Sequence, residues 1–282
     1  MLRKIFGYSD DQSTAIASVV DLPNLSDFIV NYVWINEDVF SIPSDDDHRA
    51  PLCGIPLHYI DQTINNAMRY PDTIFQIWID PRFLTDTPSI FLLESHLYMR
   101  GQIDNIRIRD LNDIDAYKHD PDNFFSPEQG NSIWARVDLA RLLVLRHVLD
   151  ERDSGNKIAL YADFDIHDVF QETYALRHAI ANHGFAVGSV TVIDSEEYLS
   201  IENGFMAFAY HNLIDHVWNI CSSEKDKIPH DDRDTVYGAF LLAFDDLLRI
   251  KDILRTDVIV PEIQKPNFYQ IKKPDYLENI CV

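Results

Sequence analysis

The chain has 282 residues, 46% of them hydrophobic and 12% aromatic, enough for one large domain or two modest ones with a substantial core. A formal net charge of −22 repels nucleic-acid backbones and anionic membranes, and no basic run offsets it. Three cysteines, Cys53, Cys221 and Cys281, are odd in number and lack metal-type spacing, which argues against a disulfide framework and for a reducing compartment.

Residues 1–26 are polar and mixed, and predict an arm or short helix. Asp10 and Asp11 interrupt them before an apolar core forms, which is unlike a secretory signal. No apolar run approaches the ~20 residues of a membrane helix, so a soluble protein is expected. From residue 27 onward the pattern predicts a single α/β domain. "FIVNYVWI" (28–35) is a predicted strand, followed by a loop rich in Pro and Asp. "LHYIDQTINNAMRY" has near-helical apolar spacing, while "TIFQIWID" (73–80) and "NIRIRDL" (105–111) alternate as strands do. A helix over "SIWARVDLARLLVLRHVLDERD" stops near Gly155. Strands follow at 157–162, 184–193 and 203–210, then a helix at 235–254. The tail, about 255–282, is punctuated by Pro and expected to be irregular. Strands alternating with helices predict a largely parallel sheet, in which ligands bind at the carboxyl ends of strands.

The chain has no Gly-x-Gly-x-x-Gly, no Walker loop, no Gly-x-Ser-x-Gly and no His-Glu-x-x-His. With nine glycines, a glycine-rich phosphate cradle is not expected, and an anionic ligand needs another source of positive charge. Asp163 and Asp165, which close the run "KIALYADFD", are hard oxygen donors suited to Mg²⁺ or Mn²⁺ together with a diphosphate. Strand alternation sends both to one side and Phe164 into the core. Two acids at this spacing are also a common solvated strand end. A haloacid-dehalogenase phosphatase shares Asp-x-Asp but expects Thr or Val where His167 stands.

At 100° per residue, Trp134, Val137, Asp138, Arg141, Leu145 and Val148 share one helix face, so an acid and a base occupy a stripe otherwise given to packing. An exposed i, i+3 ion pair is worth only a few tenths of a kcal/mol. Its place just upstream of Asp-x-Asp points instead to a ligand-facing role. Tyr161 either lines the same pocket or packs in the core. "IENGFMAF" carries an Asn-Gly hairpin signal, which would make Glu202 a surface acid beside a turn. The histidines of "HNLIDH" (211–216) are five apart, off metal-ligand helix spacing.

"WARVDLAR" followed by "YADFD", with "NYVWIN" before and "IENG" after, resembles the sugar-nucleotide site of bacterial toxin and effector glycosyltransferases. Effectors that add N-acetylglucosamine to arginine give the longer match, over about residues 28–212. The large clostridial toxin glucosyltransferase domains are similar more distantly. The resemblance implies a GT-A-type fold, a Rossmann-like, mixed and largely parallel sheet flanked by helices. It implies a retaining transferase that moves glucose or N-acetylglucosamine from a UDP-sugar to a protein acceptor, with Mn²⁺ or Mg²⁺ as cofactor. Val33 and Trp34 would then hold uracil, and Asp138 and Arg141 the sugar. Asp163 would meet the ribose or a metal-bound water, Asp165 would ligate the metal, Glu202 would orient or deprotonate the acceptor, and Asn203 would hydrogen-bond donor or acceptor. It also implies a virulence effector, secreted without a Sec signal and acting on proteins in host-cell cytoplasm. Gly188 stands where those effectors place a histidine, and the tail lacks their Ser- and Trp-containing lid, with Glu262 and Asn267 as alternative third metal ligands. These departures leave a second expectation beside the first, a catalytically degenerate sugar-nucleotide-binding or protein-interaction module.

Overall fold

The computed structural model describes residues 21–35, 52–83, 88–101, 104–120, 122–126, 131–151, 157–192, 198–224 and 236–260. In chain order the strands are β1 (Phe28–Trp34), β2 (Ile74–Ile79), β3 (Ile106–Asp110), β4 (Ile158–Ala162), β5 (Phe185–Val192), β6 (Tyr198–Phe208) and β7 (Ile259–Val260). The α-helices are α1 (Leu57–Arg69), α2 (Pro88–Gly101), α3 (Asp115–Lys118), α4 (Ile133–Asp150), α5 (Thr173–His183), α6 (His211–Glu224) and α7 (Tyr237–Lys251).

The strands form one seven-stranded sheet in the order β3-β2-β1-β4-β6-β5-β7. The pairs β1–β2, β1–β4, β2–β3 and β5–β7 are parallel. Strand β6 runs antiparallel to both β4 and β5. The expected α/β class, a largely parallel sheet flanked by helices, is the one observed.

Helices cover both faces, which is why β1 is buried along "FIVNYV" instead of alternating in and out. Ile29, Val33, Trp78 and Tyr161 face a core shared with α4, α6 and α7. Phe28, Val30, Tyr32 and Leu160 face a second core shared with α1, α2 and α5. No helix among the described residues is long and apolar enough to cross a membrane.

Three expectations change. Helices α2, α3, α5 and α6 stand where the sequence pattern gave no element. Strand β6 begins at Tyr198, so Glu202, Asn203 and Gly204 lie inside a strand and not at a hairpin turn. Within the expected irregular tail, Ile259 and Val260 pair with Val187 and Gly188 of β5. Glu262 and Asn267 lie outside the described residues, as do residues 1–20 of the predicted N-terminal arm.

Helix α5 ends on Gly184 at φ 81°, a left-handed cap whose N–H donates to the Ile180 carbonyl. A Cβ there would lie 2.5 Å from the Tyr210 ring. We expect Gly184→Ala to lower unfolding stability by at least about 1–2 kcal/mol in urea titration, and an unchanged midpoint would contradict that assignment.

Candidate functional site

The carboxyl ends of β1 and β4 lie side by side, and the chain leaving β4 turns at once. The Ile166 N–H donates to the Asp163 carbonyl at 3.2 Å. Asp163 and Asp165 therefore sit in a turn just beyond the strand, so strand alternation does not set their directions. Phe164 between them is nearly buried, as expected. Its ring stacks on Tyr32 at 4.8 Å and meets Trp34 edge-on at 5.7 Å. The turn bearing the two acids is thus wedged against the end of β1.

Trp34, half-buried, also lies 6.3 Å from the Tyr59 ring. Its indole nitrogen is shielded from solvent and has no hydrogen-bond acceptor among the described residues. Buried indole N–H groups ordinarily find one. Val33, in contrast, is a core residue, 4% exposed and paired with Trp78 of β2. Only its backbone is placed to meet a ligand.

Below this edge α4 presents Asp138 and Arg141, 5% and 7% exposed. They form an ion pair of 3.2 Å. Arg141 also donates from Nη1 to the Asn203 carbonyl at 2.8 Å and stands 3.9 Å from Asp163 Oδ1. Its guanidinium lies over the Tyr161 ring, 4.7 Å from the centroid. The Tyr161 hydroxyl donates to Asp163 Oδ1 at 2.7 Å. At 2% exposure Tyr161 packs in the core and orients Asp163 instead of lining an open pocket.

Asn203 completes the cluster, its amide donating to Asp138 Oδ1 at 3.0 Å. The geometry that brings it there is a bulge. Val187 pairs with Met206, but the next residue, Gly188, pairs with Glu202, so Asn203, Gly204 and Phe205 have no partners on β5. The extruded segment turns its groups to new uses. Asp163 N–H donates to the Gly204 carbonyl at 2.8 Å, and Gly204 N–H donates to Glu202 Oε1 at 3.1 Å. A Cβ on Gly188 would meet Phe205 Cβ at 3.0 Å. The close approach of the bulge thus leaves little room at 188 for the histidine that the resemblance expects there.

One further group reaches the cluster from the start of α7. The Val236 N–H donates to Asp138 Oδ2 at 3.2 Å from 98 positions away in the chain. Nothing in the sequence marks a backbone donor, so this partner was not foreseeable.

Burial pushes the Asp138 carboxyl up to about 6 despite Arg141, with Asp163 adding to the rise and the Val236 and Asn203 donors opposing it. Burial opposes the Arg141 charge, but Tyr161, Asp138, Asp163 and Glu202 together outweigh it and hold the guanidinium above its ordinary value. The Tyr161 hydroxyl is held neutral by burial, against Arg141, with Asp163 reinforcing it. The pair is a fixed cation beside an acid whose ionisation burial delays to about pH 6.

Among the described residues no three His, Cys, Asp or Glu side chains are placed to hold a metal ion. Two carboxylates with the remaining positions filled by diphosphate oxygens and water are a common way to hold Mg²⁺. Asp163 and Asp165 would hold a cation only together with a diphosphate, and do not amount to an all-protein cage.

The histidines of "HNLIDH" are accounted for structurally. His211 lies between Asp150 at 2.9 Å and Asp215 at 2.6 Å, and His216 lies 3.0 Å from Asp246.

A carboxyl raised from ~3.9 in the unfolded chain to about 6 contributes stability that is fully present below ~4 and is lost as pH rises through 6. We therefore expect Asp138→Asn to change stability in the variant's favour, relative to the native protein, between pH 4 and pH 7. Thermal melting across that range checks this, and two parallel pH profiles would contradict it.

No family model matches the chain, and no curated protein matches it. Solved structures do. The PaToxG glycosyltransferase is 12% identical over 79% of this chain and 73% of that one, with a TM-score of 0.44. A transferase at 17% identity covers 80% of this chain and 87% of its own, also at 0.44. Mouse xyloside xylosyltransferase 1, in its apo form, is 9% identical over 83% and 84% of the two chains, at 0.42. At similarities this low, what those proteins do does not transfer to this chain.

Proposed function

We propose that this protein is a metal-dependent glycosyltransferase that takes a hexose or N-acetylhexosamine from a UDP-sugar and attaches it to a protein acceptor. The observation that carries the proposal is the convergence of Asp138, Arg141, Tyr161, Asp163 and Asn203 at the carboxyl edge of a parallel sheet. Open parallel α/β sheets ordinarily bind their ligands at this edge. Trp34, with its unanswered indole N–H, stands at the same edge and is assigned to uracil, with Val33 contributing backbone.

When bound, a divalent cation held by Asp165 and Asp163 supplies positive charge to the departing diphosphate. The chain's own groups account for the rest. Tyr161 fixes the direction of the Asp163 carboxylate. Arg141, buried and pinned on the Asn203 carbonyl, supplies a positive field that needs no rearrangement as negative charge develops. Asp138 accepts from donor hydroxyls at the edge it shares with Arg141. Glu202, held by the Gly204 N–H, orients the acceptor nucleophile or takes its proton. Asn203 hydrogen-bonds the donor or acceptor. The UDP-sugar donor, the protein acceptor, retention of configuration and a virulence role on host proteins come from the sequence resemblance.

The experiment is incubation with UDP-glucose and UDP-N-acetylglucosamine with Mn²⁺, following release of UDP. Asp163→Ala and Asp165→Ala should each lower donor hydrolysis by at least ~100-fold while melting remains cooperative. Full activity in both variants, or undiminished activity in EDTA, would overturn the proposal. Donor binding without turnover in the native protein would favour the degenerate binding module instead.

A further inference from the structure

The helix that supplies Asp138 and Arg141 also carries an exposed tryptophan that the mechanism above does not use. Trp134, in the first turn of α4, is 52% exposed, whereas Asp138 and Arg141 are 5% and 7% exposed. The three stand at i, i+4 and i+7, within about 60° of one another around the helix. They form one stripe that begins in solvent and ends in the buried cluster.

The topology places the solvent end of that stripe at the site's mouth. Strands β3 and β4 point the same way, through β2 and β1, and α4 lies between them in the chain. The helix must therefore start at the carboxyl edge and return the chain to the amino edge. Its contacts with β1 and β4 keep it beneath the turn bearing Asp163 and Asp165. Trp134 lies about 10 Å along the axis from Arg141, and helical side chains lean toward the N-terminus, which carries the indole outward over the rim. A nucleotide held at Trp34 and a diphosphate at the two acids leave the next group of the donor, the pyranose, facing this stripe.

A pyranose has hydroxyls around its rim and a flat face of C–H groups. Asp138 and Arg141 supply partners for hydroxyls, and an indole face attracts polarised C–H bonds through its negative quadrupole. Resting on the glycosyltransferase reading given above, we infer that Trp134 is the platform on which the donor's pyranose ring stacks. It is a specificity-determining residue for the sugar and not for the nucleotide.

Calorimetric titration of UDP-glucose, UDP-N-acetylglucosamine and UDP, each with Mn²⁺, into the native protein, Trp134→Ala and Trp134→Phe tests this. In Trp134→Ala the UDP-sugar that binds should weaken about fivefold while UDP is unchanged, and Trp134→Phe should retain most of the affinity. Equal UDP-sugar affinity in Trp134→Ala, or a matching loss for UDP, would overturn the inference and leave the transferase reading standing. Absence of binding by the native protein to all three would overturn both. Thermal melting controls for folding, and if Trp134→Ala melts early, the comparison between Trp134→Phe and Trp134→Gln decides by the same criteria.

Discussion

A guanidinium shielded from water is the constraint on which the carboxyl edge of this protein depends. Arg141 has lost most of its hydration, and such a charge is tolerated only if the surrounding groups replace that solvation. They come from four separate parts of the chain. Asp138 is one turn back on the same helix, Tyr161 is on β4, Asp163 is in the turn after it, and the Asn203 carbonyl is on β6. Each contact limits where the next can be. With Tyr161 on Asp163 and Asn203 on Asp138, the two acids that would meet a ligand are fixed before any ligand arrives.

The sheet supplies the geometry that this arrangement requires. Only β6 runs against the other strands, and it does so beside β4, so its chain passes the turn bearing the acids in mid-strand. An unbroken ladder would keep the Asn203 and Gly204 backbone paired with β5. The bulge opposite Gly188 releases them toward Arg141 and Asp163. Gly188 belongs to the same device, because a side chain there would press on Phe205. Helix α7 adds the Val236 N–H, so the element that closes one core layer also holds a site acid.

Much of the fold was legible because its signals are local. β1, β2, β4 and α4 follow from apolar runs, α4 being buried without a break from Asp138 to Leu145. α2 was missed because apolar residues in "PSIFLLESHLYMRG" lie all round the helix, with Leu93 and Leu97 buried and Leu92, Tyr98 and Met99 exposed. α6 was hidden by its histidines, which pair with acids on neighbouring helices. The start of β6 was misplaced because a bulge carrying Asn-Gly looks locally like a hairpin. The members of the polar cluster were legible, since acids and an arginine in apolar surroundings stand out. Their division of labour was less so. Tyr161 proved to orient Asp163, and the acids proved to lie in a turn, because these features depend on contacts between residues distant in the chain.

The central claim is that the turn at Asp163 and Asp165 receives a cation together with a nucleotide diphosphate at the carboxyl edge of β4. Crystals grown or soaked with Mn²⁺ and UDP test it most directly, through the anomalous scattering of manganese. The account predicts one strong anomalous peak against the Asp163 and Asp165 carboxylates, with diphosphate density beside it and the uracil ring against Trp34. A peak elsewhere on this acidic surface, or UDP bound at full occupancy without a cation at that turn, would contradict it.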